Sequence, residues 1–127
     1  MRAVAGILVG ALLVAGAAGQ AVSKPEPVAI FFDSDIGPDV DDAGTTAALN
    51  ALADRGEARI IGMACCTSSP WGAPCLDAIN TYYGRPDVPI GTFKGTGFLV
   101  DSKYNRGVAE RFPNDLKTGE NAPDATE

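Results

Sequence analysis

The chain has 127 residues, 46% of them hydrophobic and 20% charged, which suits one modest globular domain and excludes disorder as the main state. Sixteen acidic against ten basic residues leave a formal net charge of −6. No basic stripe appears, and binding to nucleic acid, which relies on clustered Lys and Arg, is excluded on that ground.

The first segment stands apart. Met1-Arg2 supplies a positive start, Ala3 to Ala18 is an uncharged run of Ala, Val, Leu and Gly, and Gly19 and Ala21 offer small residues for cleavage before Val22. This is the pattern of a secretory signal peptide over residues 1–21. The run is shorter than the ~20 apolar residues that span a bilayer comfortably, so no stable membrane anchor is expected after cleavage. The expected location is exported, periplasmic or extracellular. A Pro-containing linker, residues 22–27, then leads into an α/β domain over residues 28–127.

"VAIFF" (Val28 to Phe32) is a short continuous apolar run and predicts a buried strand. The stretch "FFDSDIGPDVDDAG" follows, with Asp33, Asp35, Asp39, Asp41 and Asp42 and no Lys, Arg or His among them. Such crowded carboxylates raise one another's pKa values, so a folded loop holding them needs a cation or full solvation. From Asp41, Ala47, Ala48, Leu49, Leu52 and Ala53 recur at helical spacing, and Gly56 is a stop. "ARIIGMACC" (Ala58 to Cys66) predicts a second strand and "TSSPWG" a loop. "APCLDAINTYYG" predicts a second helix with Leu76, Ile79 and Tyr83 on one face and Gly84 past its end. A third short strand is expected around Ile90 to Phe93.

Strand, helix, strand, helix, strand describes an open, mostly parallel sheet with flanking helices. In such sheets ligands bind beyond the carboxyl ends of the strands. The acidic loop and the loop Cys66 to Trp71 both leave carboxyl ends, so they are expected to lie together on one edge. Cys65, Cys66 and Cys75 permit one disulfide with one thiol over, or three small buried residues. With no histidine and no C-x-x-C spacing, zinc is disfavoured. Acidic residues opening a helix also favour its N-terminal dipole with no ligand at all.

Three chemistries put aspartates at a strand end. Asp33, Asp35, Asp39 and Asp41 alternate as in an EF-hand loop, but the glycine comes one place early and Gly44 stands where the bidentate Glu belongs. "FFDSDIG" resembles the first motif of the aspartyl-phosphate phosphotransferases, with Asp33 as nucleophile, although Pro38 follows the glycine and the later aspartates are left without a role. "FFDSDIGPDVDDAGTTAAL" resembles the N-terminal metal-binding signature of the inosine-uridine-preferring nucleoside hydrolases, in which a strand delivers D-x-D-x-G and a paired D-D opens the first helix. "IIGMACCTSSPWGAPCLDAINTYYGRPDVPIGTFKG" is also similar to that family.

The resemblance implies a Rossmann-like nucleoside hydrolase fold and calcium-dependent hydrolysis of an N-glycosidic bond, releasing base and ribose. It implies Asp35 and Asp42 as calcium ligands, Asp35 also as the base that deprotonates water, and Asp33 in support of the loop. Asp41 would accept hydrogen bonds from ribose hydroxyls, with Asp39 competing for that role because Pro38, Asp39 and Val40 intervene after Gly37. Where the family commonly carries an Asn for the sugar, "CCTSSPW" offers Thr67, Ser68 and Ser69; Ser68 is the candidate contact, and Trp71 either stacks on the base or simply packs. The expected partner is a small nucleoside or ribosyl substrate, and a homo-oligomer stays open. The family's domain is longer, and its further ligands and leaving-group histidine have no counterpart here. The chain is therefore expected to be a truncated product, or a reduced calcium- or sugar-binding domain without catalysis, with an exposed sheet edge.

Overall fold

The computed structural model describes residues 24–98 and 103–126; the expected signal peptide lies outside them. Among the described residues no helix is long and apolar enough to cross a membrane. The chain builds β1 (Val28–Ser34), α1 (Asp41–Asp54), β2 (Ala58–Cys65), α2 (Gly72–Tyr82), β3 (Ile90–Thr92), α3 (Lys103–Arg111) and a short 3-10 turn, Gly119–Asn121. The strands pair in parallel in the order β1-β2-β3. This is an α/β protein with an open parallel sheet and flanking helices, consistent with a Rossmann-like fold.

Crossovers that step the same way across a sheet place their helices on the same face. α1 and α2 pack on each other and on β2 accordingly. Along β1, Ile30, Phe32 and Ser34 turn toward the helices, while Phe31 and Asp33 turn away. A register shift between Ile30 and Phe31 brings Phe31 opposite Gly62, where a Cβ would stand 3.2 Å from the Phe31 ring. The core beneath the helices joins Ile36, Met63, Cys65, Ala73, Cys75, Leu76, Ile90 and Ala122.

Both long helices end in the same device. Gly56 (φ 70°) and Gly84 (φ 76°) take the left-handed conformation that favours glycine. After α1, Gly56 N–H donates to the Ala53 carbonyl and Glu57 N–H to Leu52; after α2, Gly84 N–H donates to Thr81 and Arg85 N–H to Asn80. These paired bonds satisfy the last carbonyls of each helix.

The buried faces differ from those the apolar spacing predicts. α1 buries Thr46 and Asn50, and its leucines are only half-buried. Asn50 Nδ2 donates to Asn80 Oδ1 (2.9 Å) and to the Thr46 carbonyl (3.0 Å), and Asn80 Nδ2 donates to Met63 Sδ (3.4 Å). Arg85 then closes the network on Asn50 Oδ1 (3.1 Å) and pairs with Asp54. With every buried amide partnered, a polar seam between two helices costs little. α2 is buried nearly all round, Asp77 included, rather than along one face, because α3 and the C-terminal segment cover its outer side.

That C-terminal segment is stitched down by charge. Asp77 Oδ2 accepts the backbone N–H groups of Asp115 (2.6 Å) and Leu116 (3.0 Å). Lys94 Nζ donates to the carbonyls of Gly119, Glu120 and Ala122. Thr92 exchanges backbone hydrogen bonds with Pro123 and Ala125, so that Asp124 between them pairs with Thr92 as a further short parallel bridge beside β3. The expected bare edge at β3 is therefore partly covered. What stays open is the outer sheet face, where Phe31 is 59% and Ile61 45% exposed.

Asn80→Ala is expected to cost about 1–3 kcal/mol, because Asn50 keeps its burial and loses a partner. Asn121→Ala, at an exposed position, is expected to change stability by less than about 0.5 kcal/mol. Urea midpoints at unchanged slope would measure both.

Candidate functional site

The two polar loops leave adjacent strand ends. Ser34 pairs with Cys65 across the ladder, and Cys66 N–H donates to the Ser34 carbonyl at 2.9 Å. Their common edge is thus the carboxyl end of the sheet. β1 runs two residues further than its apolar stretch, so Asp33 and Ser34 belong to the strand and Asp35 begins the loop.

The acidic loop turns tightly. Ile36 N–H donates to Ser34 Oγ (3.1 Å), Ile36 and Gly37 are buried, and a Cβ on Gly37 would stand 3.1 Å from the Asp35 carbonyl oxygen. The chain then enters α1 at Asp41 with no side-chain cap, so Asp41 and Asp42 occupy the first turn, where the helix dipole favours negative charge.

Asp42 is the centre of the site. Asp35 and Ser34 lie close enough to act on its carboxylate, and its Oδ2 is buried with no hydrogen-bond partner. Burial, then the hydrogen-bonded Asp35 carboxyl, then the charges of Asp35 and Asp41 push its pKa up; the Ser34 hydroxyl pulls the other way. A buried, unpartnered carboxylate oxygen beside a second carboxylate is an unfavourable arrangement for anions alone. It suits a hard cation, which takes oxygen ligands. Among the described residues no group of three or more His, Cys, Asp or Glu converges on one point. The pair fits such a cation as two ligands of the about six to eight oxygens that calcium takes.

The other candidates are distributed around this pair. Asp33 is exposed on the open sheet face and borders a depression of about 240 Å³ with Phe31, Cys66 and Phe93. Burial first, then the charges of Asp33 and Asp35, push the Cys66 thiol up. Asp41 is exposed; Asp39 lines a mostly apolar cavity of about 340 Å³ that α3 closes with Tyr104 and Val108, and Phe112 just past its end. Ser68 lines a different cavity, of about 480 Å³, at the ends of β2 and β3, with Thr92, Phe93, Lys94 and Glu120. Its Oγ accepts the Phe98 N–H at 3.3 Å. The Trp71 ring carries the Arg106 guanidinium 5.3 Å from its centroid. Asp35 and Asp42 come together, therefore, while Asp39, Ser68 and Trp71 each face other surroundings.

All three cysteines are free. Cys65 and Cys75 are buried in the core, and burial, with Cys65 alongside, pushes the Cys75 thiol up to about 12. Gly72 is required there, since a Cβ would stand 2.2 Å from Cys65 Sγ. They act as small apolar residues.

Two residues of the site escape a reading by apolar pattern. Ser34 is one, although strand alternation alone turns it inward between Asp33 and Asp35. Asn105 is the other: α3 is marked only by the spacing of Tyr104, Val108 and Phe112, and Asn105 reaches the loops through the tertiary fold. No protein-family model matches this chain, and comparison with the curated proteins finds no match.

Asp42 holds its proton more tightly folded than unfolded. The stability contributed by the protonated group is whole below the unfolded pKa and is lost as pH rises through the folded one. Asp42→Asn is therefore expected to raise the melting temperature by a few degrees at neutral pH in EDTA, and to change it little in acid. Differential scanning fluorimetry across pH checks this; a lower melting temperature at neutral pH would contradict it.

Proposed function

We propose that this chain carries the cation-binding and ribose-binding part of an exported, calcium-dependent nucleoside N-ribosyl hydrolase pocket. The observation that carries the reading is the buried, unpartnered Asp42 Oδ2 beside the Asp35 carboxylate, at the carboxyl end of a parallel strand. Its support from sequence is the D-x-D-x-G and D-D pattern of Asp33, Asp35, Gly37, Asp41 and Asp42.

In this reading Asp35 and Asp42 hold calcium, which when bound supplies Lewis acidity and a fixed point for hydroxyl oxygens. Asp35, exposed on one side, takes the proton of the attacking water. Water oxygen bonds to the anomeric carbon as the carbon–nitrogen bond breaks, and the electron pair leaves with the base, which needs a proton. Asp41, exposed at the start of α1, and Asp39, exposed in the loop before it, accept hydrogen bonds from ribose hydroxyls. The carboxylates also favour the positive charge that develops on the sugar.

The reading predicts calcium or terbium binding that Asp35→Asn and Asp42→Asn each weaken by at least about tenfold. Asp87→Asn, at an exposed position after α2, is expected to stay within about twofold. Isothermal titration and terbium luminescence measure it; equal affinities in all variants would remove the cation site. Base release from inosine or uridine by this chain alone is expected at background, since the sequence has no histidine to protonate the base and such a group supplies about 10²–10⁴-fold. Magnesium-dependent protection by beryllofluoride, with none by calcium and a ribose analogue, would favour the phosphotransferase reading with Asp33 as nucleophile.

A further inference from the structure

Asn105 lies in the first turns of α3, 69 positions along the chain from Ile36, and is 2% exposed. Its Nδ2 donates to the Ile36 carbonyl (3.1 Å) and to Ser69 Oγ (3.2 Å), and its Oδ1 accepts the Arg106 N–H (2.7 Å). Ile36 is held in turn by Ser34 Oγ, the hydroxyl that also reaches Asp42. On the other side, Ser69 Oγ accepts the Trp71 N–H at 3.2 Å, and Ser69 N–H donates to Thr67 Oγ1. One amide thus spans the loop that carries Asp35 and the loop that follows β2. A carboxamide suits this place because it has two donors on one nitrogen and an acceptor beside it.

We infer that Asn105 is the positioning residue of the site: it holds the Asp35 loop against the β2–α2 loop and so fixes where the Asp35 carboxylate stands relative to Asp42. Without its amide the buried Ile36 carbonyl loses a partner and the loop loses a tie to α3. Ligand-orienting groups outside the coordination sphere commonly matter to metal affinity by about 10–100-fold when removed. The effect on cation affinity rests on the function proposed above; the effect on the loops does not.

The test uses the full chain with Asn105→Ala, Ser69→Ala, the double variant and, as control, Asn114→Ala. Asn114 is equally a buried amide, but its Nδ2 bonds stay with Ala109 and Phe112 at the end of α3. Asn105→Ala is expected to speed amide exchange about tenfold or more at Ile36, Gly37, Asp39, Val40, Ser69 and Trp71, the positions of the two loops that carry an N–H, while leaving 62–65 unchanged. Ser69→Ala gives a smaller change, and the double variant resembles Asn105→Ala because the two share one contact. Terbium affinity is expected to fall about tenfold in Asn105→Ala and less than twofold in Asn114→Ala. Exchange within twofold of the parent in Asn105→Ala, or equal loosening by Asn114→Ala, overturns the inference. If Asn105→Ala does not fold, Ser69→Ala decides by the same exchange criterion. A parent chain that binds no terbium defeats the proposed function, and the exchange pattern still decides the role of Asn105.

Discussion

A carboxylate oxygen withdrawn from water beside a second carboxylate is the arrangement around which the carboxyl edge of this sheet is built. Neither Asp35 nor Asp42 has a Lys or Arg partner among the described ion pairs, which join Arg55 to Glu57, Arg85 to Asp54 and Arg106 to Glu110. The ordinary remedy, a guanidinium or ammonium at contact distance, is thus spent elsewhere. What holds the pair in place is Ser34, turned inward by strand alternation, together with the first turn of α1, whose unpaired amides favour negative charge.

Around that pair the fold uses polar groups in place of hydrocarbon. Asn50 and Asn80 join α1 to α2, Asp77 holds the segment at Asp115 and Leu116, Lys94 gathers three carbonyls, and Asn105 ties α3 to two loops. Each is directional, and each is satisfied by partners far away in sequence. Such bonds add modestly to stability and strongly to the uniqueness of the arrangement, since misplacing them leaves buried groups unpaired. A carboxylate pair that must keep one separation benefits from this kind of frame.

The outer sheet face is the counterpart of that economy. Both crossover helices lie on one side, so Phe31 and Ile61 remain exposed on the other, although parallel sheets are usually covered on both faces. The site itself lies at the edge, and its geometry is set by elements on the covered side.

Local sequence features set the order of strands and helices as far as β3, the parallel sheet, the stops at Gly56 and Gly84, and the crowding of Asp33 to Asp42 at a strand end, whereas α3 and the 3-10 turn were not expected from them. Those features are written in local terms: apolar runs, helical spacing, glycine where the backbone turns left-handed, and charge too dense to ignore. β1 ran past its apolar run into Asp33 and Ser34 because pairing with β2, rather than side-chain polarity, decides where a strand stops. The inward face of α1 went to Thr46 and Asn50 because Asn80 and Arg85 arrive there from α2 and its end, which no spacing rule within α1 can express. Long-range packing set the rest: Asp42 shares its surroundings with Asp35, Asp39 and Ser68 face separate cavities, and Asn105 bridges the loops. Each of these depends on contacts between distant segments, whose energies are set by burial and partner geometry rather than by neighbours along the chain.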